Sequence, residues 1–231
     1  MRSALLIGSI CIVLIMLFLM TFRLGTLFTG VSDQESATIN SIGQPMDILE
    51  NPISLPHKAV LLVLDQTDLL TATSARFVSI GFAVAAIVLF YVFVRAKFSA
   101  RITLFGSLVF CCNSVFLAIA RNAGFASSTL FAACAILLAL QMYSNPKGFA
   151  GKGWMCGVLI ALGLFSPGAG LILLAAAAWY LRRTVQTAKV WPLLSLIPVF
   201  ALPVISLAVL TYGFYKDTNT IYAWLGIPNS L

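Results

Sequence analysis

The sequence predicts an all-α integral membrane protein of about seven transmembrane helices joined by one long outer loop, and three observations predict it. The first is composition: 61% of the 231 residues are apolar and only 9% are charged, where a soluble domain carries about 25% charged residues. Mean hydropathy is +1.02. The second is the way the carboxylates gather: Asp33, Glu35, Asp47, Glu50, Asp65 and Asp68 all fall in residues 23–75, and the remaining acid, Asp217, comes after the last apolar run. The third is that the Lys and Arg residues bracket apolar runs and never form a dense patch, so the net charge of +7 does not speak for a nucleic-acid partner.

Taken in order, residues 4–22 form the first span, preceded by Arg2. The run is longer than the apolar core of a secretory signal, and Arg23-Leu24-Gly25-Thr26 comes after it in place of a small-residue cleavage site, so an uncleaved signal anchor is expected. Residues 23–75 are too long for a turn and too short for a domain. Ser32 or Asp33 can cap a weak helix over 33–42, and Pro45, Pro52 and Pro56 break the chain between that helix and the next. Around Ala59-Val60-Leu61-Leu62-Val63-Leu64 a second helix, 58–70, is expected to lie in the membrane interface, because six apolar residues cannot cross a core of ~30 Å. Further spans are read at 77–94, 102–120, 128–143, 154–165, 168–181 and 191–214. Ser166-Pro167-Gly168-Ala169-Gly170 separates two short spans; fusing them would give six. Tyr215, Tyr222 and Trp224 suit the headgroup region beyond the last span.

Basic residues orient the chain. Arg2, Arg95, Lys97, Arg101, Lys147, Lys152, Arg182, Arg183 and Lys189 fall on one side, nine of fourteen, against Arg23, Lys58, Arg76, Arg121 and Lys216 on the other. The positive-inside rule then places the N-terminus in the cytoplasm and the C-terminus outside the plasma membrane. Cys11, Cys111, Cys112, Cys134 and Cys156 fall inside spans without metal-ligand spacing, so a disulfide framework or a zinc site is not expected; any need for a divalent cation is left open.

The candidate chemistry sits in the outer segments. Asp33, about ten residues after the first span, is the candidate general base, with Glu35 as the nearby alternative; the competing reading is a helix cap and a solvated acid. Pro56-His57-Lys58 opens the interfacial helix, where His57 and Lys58 can meet a lipid phosphate or simply snorkel. Arg121 ends the third span next to Asn122 and can fork onto phosphate oxygens. Arg76 is expected to pair with Asp65 or Asp68, and Asn113, inside the third span, needs a partner. Gly153-x-x-x-Gly157 is a weak helix-contact signal.

The order of these features resembles the GT-C glycosyltransferases, in particular the protein O-mannosyltransferase and aminoarabinose transferase branch. Four stretches carry the likeness: Ser74-Ala75-Arg76-Phe77-Val78-Ser79, Arg95-Ala96-Lys97-Phe98-Ser99-Ala100-Arg101, Asn113 through Arg121, and Gly163-Leu164-Phe165-Ser166-Pro167-Gly168. The resemblance implies transfer of a sugar from a polyprenyl-phosphate lipid to an acceptor hydroxyl on the outer face, with inversion. It assigns the catalytic base to Asp33 and contact with the lipid phosphate to Lys58 and Arg121. Two departures stand out. No acid occurs in Asn122-Ala123-Gly124-Phe125-Ala126-Ser127-Ser128, where many relatives carry one, and the sequence covers only the shared seven-span module. The resemblance thus leaves three alternatives: a fragment, one half of a split enzyme whose partner is a second membrane subunit supplying the variable half, or a degenerate member; membrane lipid is an expected partner in each. The rival reading is a non-catalytic membrane subunit that binds lipid or a partner protein.

Overall fold

A computed structural model describes residues 14, 17–21, 33–40, 42, 45–144, 153–173 and 193–225. The described residues are helical, with no strand among them. The segment 33–66 holds α1 (Asp33–Asn40), α2 (Pro45–Glu50) and α3 (Leu55–Gln66). The remaining helices are α4 (Ala72–Arg95), α5 (Ala100–Cys111), α6 (Ser114–Arg121), α7 (Ala126–Ser144), α8 (Gly153–Leu164), α9 (Leu193–Lys216) and α10 (Asn219–Leu225).

The core is three helices side by side. Helix α7 packs on α4 along one flank and on α8 along the other, and α9 covers α8. Ala135, Leu138, Ala139, Cys156 and Leu159 form its centre, with Leu89 and Phe93 of α4 against them. Helices α4 and α7 run in the same direction, because Ser79 meets Gly124 at one end while Leu89 and Phe93 meet the Ala135–Ala139 turn further along. Helix α8 runs back: Cys156 Sγ donates to the Ala139 carbonyl at 3.4 Å, and Gly163 faces Ile136. A Cβ on Gly163 would lie 2.7 Å from Ile136 Cγ1, so glycine sets the closest approach of α7 and α8. Gly157, of the pair singled out by spacing, is buried on the same helix.

Of the described helices, α4 alone is long and apolar enough to cross a membrane, and α5 with α6 could count as a second, broken span. Seven full crossings are not what the described helices supply. The expected continuous span 102–120 is bent by 62° between α5 and α6. Asn113 causes the restart: it takes extended backbone and its side chain accepts from the Val115 N–H at 2.9 Å, capping α6. The polar residue expected to find its partner on another helix or in a polar cavity finds one two residues along its own chain. Helix α8 has twelve residues, about 18 Å at 1.5 Å per residue. Most of the expected span 4–22 and the greater part of 168–181 lie outside the described residues.

The segment 33–66 also differs from expectation. Pro45 begins a helix and does not break one, so α1, α2 and α3 are three helices where two were expected. Helix α3 starts at Leu55, with Pro56 in its first turn, where the missing N–H costs nothing. Helix α4 starts on a reciprocal box: the Thr71 side chain accepts from the Ser74 N–H at 3.1 Å while Ser74 Oγ accepts from the Thr71 N–H at 2.7 Å.

Candidate functional site

The first turns of α4 and α7, the end of α6, the end of α8 and helix α10 meet at one end of the helical core, and α1–α3 dock there. Glu35 is where the docking is tightest. Glu35, Thr38 and Ile42 repeat at helical spacing and are buried, which turns the carboxylate inward. Arg76 Nε donates to Oε1 and Nη2 to Oε2, both at 2.8 Å, in a two-pronged fork. The Ala123 N–H donates to Oε1 at 3.0 Å. Arg76 thus pairs with Glu35 and not with Asp65 or Asp68; both of those lie on exposed backbone at the far end of α3. Glu35 is not the solvated acid the sequence allowed for. With both oxygens engaged by an arginine and an amide, it is a clamp between α1, α4 and the α6–α7 joint.

His57 and Lys58 form the second cluster. His57 is fully buried between the rings of Phe82 and Phe125, 5.3 and 5.4 Å away. Ser79 Oγ donates to the Gly124 carbonyl at 3.4 Å and lies at hydrogen-bond distance, 3.2 Å, from His57 Nε2. Nδ1 is buried without a partner. Burial lowers the His57 pKa to about 4, so the ring is neutral at pH 7. Lys58 Nζ donates to the Asn51 carbonyl at 2.8 Å and lies 5.6 Å from the centre of the Phe125 ring. Burial lowers its pKa to about 8. Neither side chain reaches out toward lipid, as their place beside an apolar run predicts; both point into the protein.

Ser54 and the α8 end complete the site. The Ser54 N–H donates to the Phe165 carbonyl, and its hydroxyl lies 3.2 Å from that of Ser128. Gly168, at φ 71°, donates its N–H to the Ala223 carbonyl, and Trp224 Nε1 donates to the Leu164 carbonyl at 2.8 Å. The Ser166–Pro167 break is therefore where α10 attaches.

The predicted site residues divide. Asp33 is the first residue of α1, two residues before Glu35; its side chain lies outside the described residues. Arg121 ends α6, partly buried and engaged, two residues before Ala123. The structure brings Glu35, His57 and Lys58 to the same end of the core as Arg121. Ser79, Ser54 and the Gly124 carbonyl were missed, since a serine in an apolar run carries no signal until its partner is known. Among the described residues no group of three His, Cys, Asp or Glu side chains is placed to hold a metal ion. No protein-family model, curated protein or solved structure matches this chain.

Proposed function

We propose that this chain is a membrane-embedded module that transfers a sugar from a polyprenyl-phosphate donor to an acceptor hydroxyl at the outer face of the plasma membrane. In this reading the chain crosses seven times, with the N-terminus in the cytoplasm and residues 23–75 outside; the basic split and the gathering of α1–α3, the α6–α7 joint and α10 at one end support it. The clamp carries the proposal. Asp33 and Arg121 each lie two residues from a group that bonds Glu35 or is Glu35, so the buried carboxylate ties together the stretches of backbone that carry the candidate base and the candidate phosphate ligand. Asp33 takes the acceptor proton as the new bond forms, and Arg121 stabilises the charge growing on the departing phosphate.

The test is sugar transfer by the full chain from a polyprenyl-phosphate sugar, with donor binding read in parallel. Asp33→Asn keeps shape but cannot take the proton, and should lower turnover by ~10²–10⁴-fold with binding retained. Arg121→Ala should weaken both. Asp33→Asn working as well as the parent would remove Asp33 from the role. A second reading, a non-catalytic subunit binding lipid or a partner protein, draws on Lys58: its ammonium is bonded to the Asn51 carbonyl, where it holds the fold in place of a donor phosphate. Lipid binding by a parent that transfers no sugar under any condition would establish that reading.

A further inference from the structure

The positive charge of this chain is cut off from its negative charge. Between Asp68 and Asp217 the sequence holds eleven Lys and Arg residues and no carboxylate. The two ion pairs found among the described residues, Arg76 with Glu35 and Lys216 with Glu50, both reach into the cap. At the other end of α4, the turn into α5 carries Arg95, Lys97 and Arg101 within seven residues, all exposed. Arg95 is nineteen residues along α4 from Arg76, about 28 Å at 1.5 Å per residue, roughly three times the screening length at physiological salt. The acids of the cap therefore leave this turn unneutralised. Its shape is fixed: Lys97 and Phe98 both donate their N–H to the Val94 carbonyl, at 3.0 and 2.9 Å. Arg95 Nη1 donates across the turn to the Phe98 carbonyl at 2.9 Å, and Lys97 Nζ stands 4.7 Å from the centre of the Phe93 ring. Arg101 occupies the first turn of α5, where the helix dipole disfavours a cation and no acid offsets it. Apolar surface begins beside these charges. Phe98 is 51% exposed among them, and Ile102, Phe105 and Val109, at the three-four spacing of one α5 face, are 57%, 69% and 56% exposed.

We infer that the α4–α5 turn binds an anionic phospholipid, its phosphate-bearing head held by Arg95, Lys97 and Arg101 and an acyl chain laid along Ile102, Phe105 and Val109. Two features select this partner together. Three cations without a carboxylate in reach call for an anion, and the exposed apolar strip that starts at the same turn calls for a chain joined to it. A nucleic acid or an acidic protein would answer the charges and leave the strip bare. In the orientation proposed above, the lipid belongs to the cytoplasmic leaflet. The inference rests on α4 crossing a membrane and not on sugar transfer, so either reading can fail without the other.

Titration of the full chain, purified in detergent, with phosphatidylglycerol and with phosphatidylcholine of the same acyl chains tests this. Phosphatidylglycerol should bind at least about tenfold more tightly. A basic residue beside an anionic head contributes about fivefold, so R95Q, K97Q and R101Q should each lower the preference by about that factor. The triple variant should abolish it, and R101K should keep most of it. R182Q/R183Q/K189Q removes the same net charge elsewhere in the chain and should leave the preference in place. Phe105→Ser, which touches only the acyl chain, should weaken phosphatidylglycerol about threefold without changing its salt dependence. Glycerol phosphate, the head without its chains, should bind at least about a hundredfold more weakly than the lipid. Equal binding of the two lipids, an equal loss in R182Q/R183Q/K189Q, or glycerol phosphate binding as tightly as the lipid overturns the proposal. So does a short single-stranded DNA that binds the parent more tightly than the lipid does.

Discussion

The helical core of this protein is held by apolar packing, and the cap of α1–α3 adds buried polar bonds to its own apolar contacts. Between α4, α7 and α8 the contacts are alanines, leucines and cysteines with a glycine at the closest point, and among the described residues the bonds found there are few, such as that of Cys156 to a carbonyl. In the cap, α1 and α3 are attached by a forked ion pair, an imidazole and two serine hydroxyls, and an ammonium ties α3 to the loop before it. Packing in the core is tolerant, because an apolar side chain can shift and keep most of its contacts. A polar attachment is less forgiving: removing one partner strands the other in a buried place. The cap should therefore fail by single residues, and the core by accumulated loss of fit.

The sharpest way to break this contrast is at the clamp. Arg76→Met removes the guanidinium from the buried Glu35 carboxylate, which should cost about 3–5 kcal/mol in unfolding experiments in detergent. The double variant Glu35→Leu/Arg76→Met should recover most of that loss. If the double is no better than the single, the pair is not what holds α1. Glu35→Gln should also lose stability, more than a solvated acid would.

Acid titration probes the cap next. His57 has its pKa lowered to about 4 by burial, from 6.5. A lowered pKa means that the folded chain prefers the neutral ring, so stability is full above pH 6.5 and falls as pH drops from 6.5 to 4, by at most about 3 kcal/mol. His57→Gln should flatten that part of the profile; an unchanged slope would move the titration to another group. Lys58, lowered to about 8 from 10.5, has the same sign at higher pH: stability should rise as pH climbs through 8 to 10.5. At neutral pH Lys58→Met should cost nothing or stabilise.

The core should answer more mildly. Gly163→Ala drives a methyl into Ile136 and should cost about 1–3 kcal/mol, and Ile136→Val in the same chain should return part of it, read as the midpoint of thermal unfolding. The smallest effect is expected at the attachment of α10: Trp224→Phe keeps the ring and loses the Nε1 bond to Leu164, about 1 kcal/mol.

Legibility in the sequence divides along the same line. Apolar length announced α4, read at 77–94 and found over Ala72–Arg95, and composition announced helices throughout. The restart at Asn113 was hidden, because hydropathy is averaged over a window and one capping side chain barely moves the mean. In the cap, residue chemistry was visible but partners were not. Glu35 and Arg76 are separated by 41 positions, and the nearer acids Asp65 and Asp68 were the natural guess. The buried repeat Glu35, Thr38, Ile42 was the one clue that the carboxylate faces inward. His57 and Lys58 misled for a physical reason: beside an apolar run, a basic pair is expected to reach for the headgroups, and here it fills a socket lined by Phe82, Phe125 and the Asn51 carbonyl.

Gly213 of α9 lies so close to Pro52 that a side chain there would collide with the proline ring, and Leu210 packs with Ile53, Leu164 and Phe165. The loop between α2 and α3 is thus seated on a helix made much later in synthesis. During biogenesis Pro52 and Ile53 must wait, already translated, until α9 is in place. Until then Pro52 and Ile53, although encoded early, lack the helix surface that covers them. A chain halted before α9 should leave a cysteine placed at Ile53 open to labelling, and the full chain should shield it.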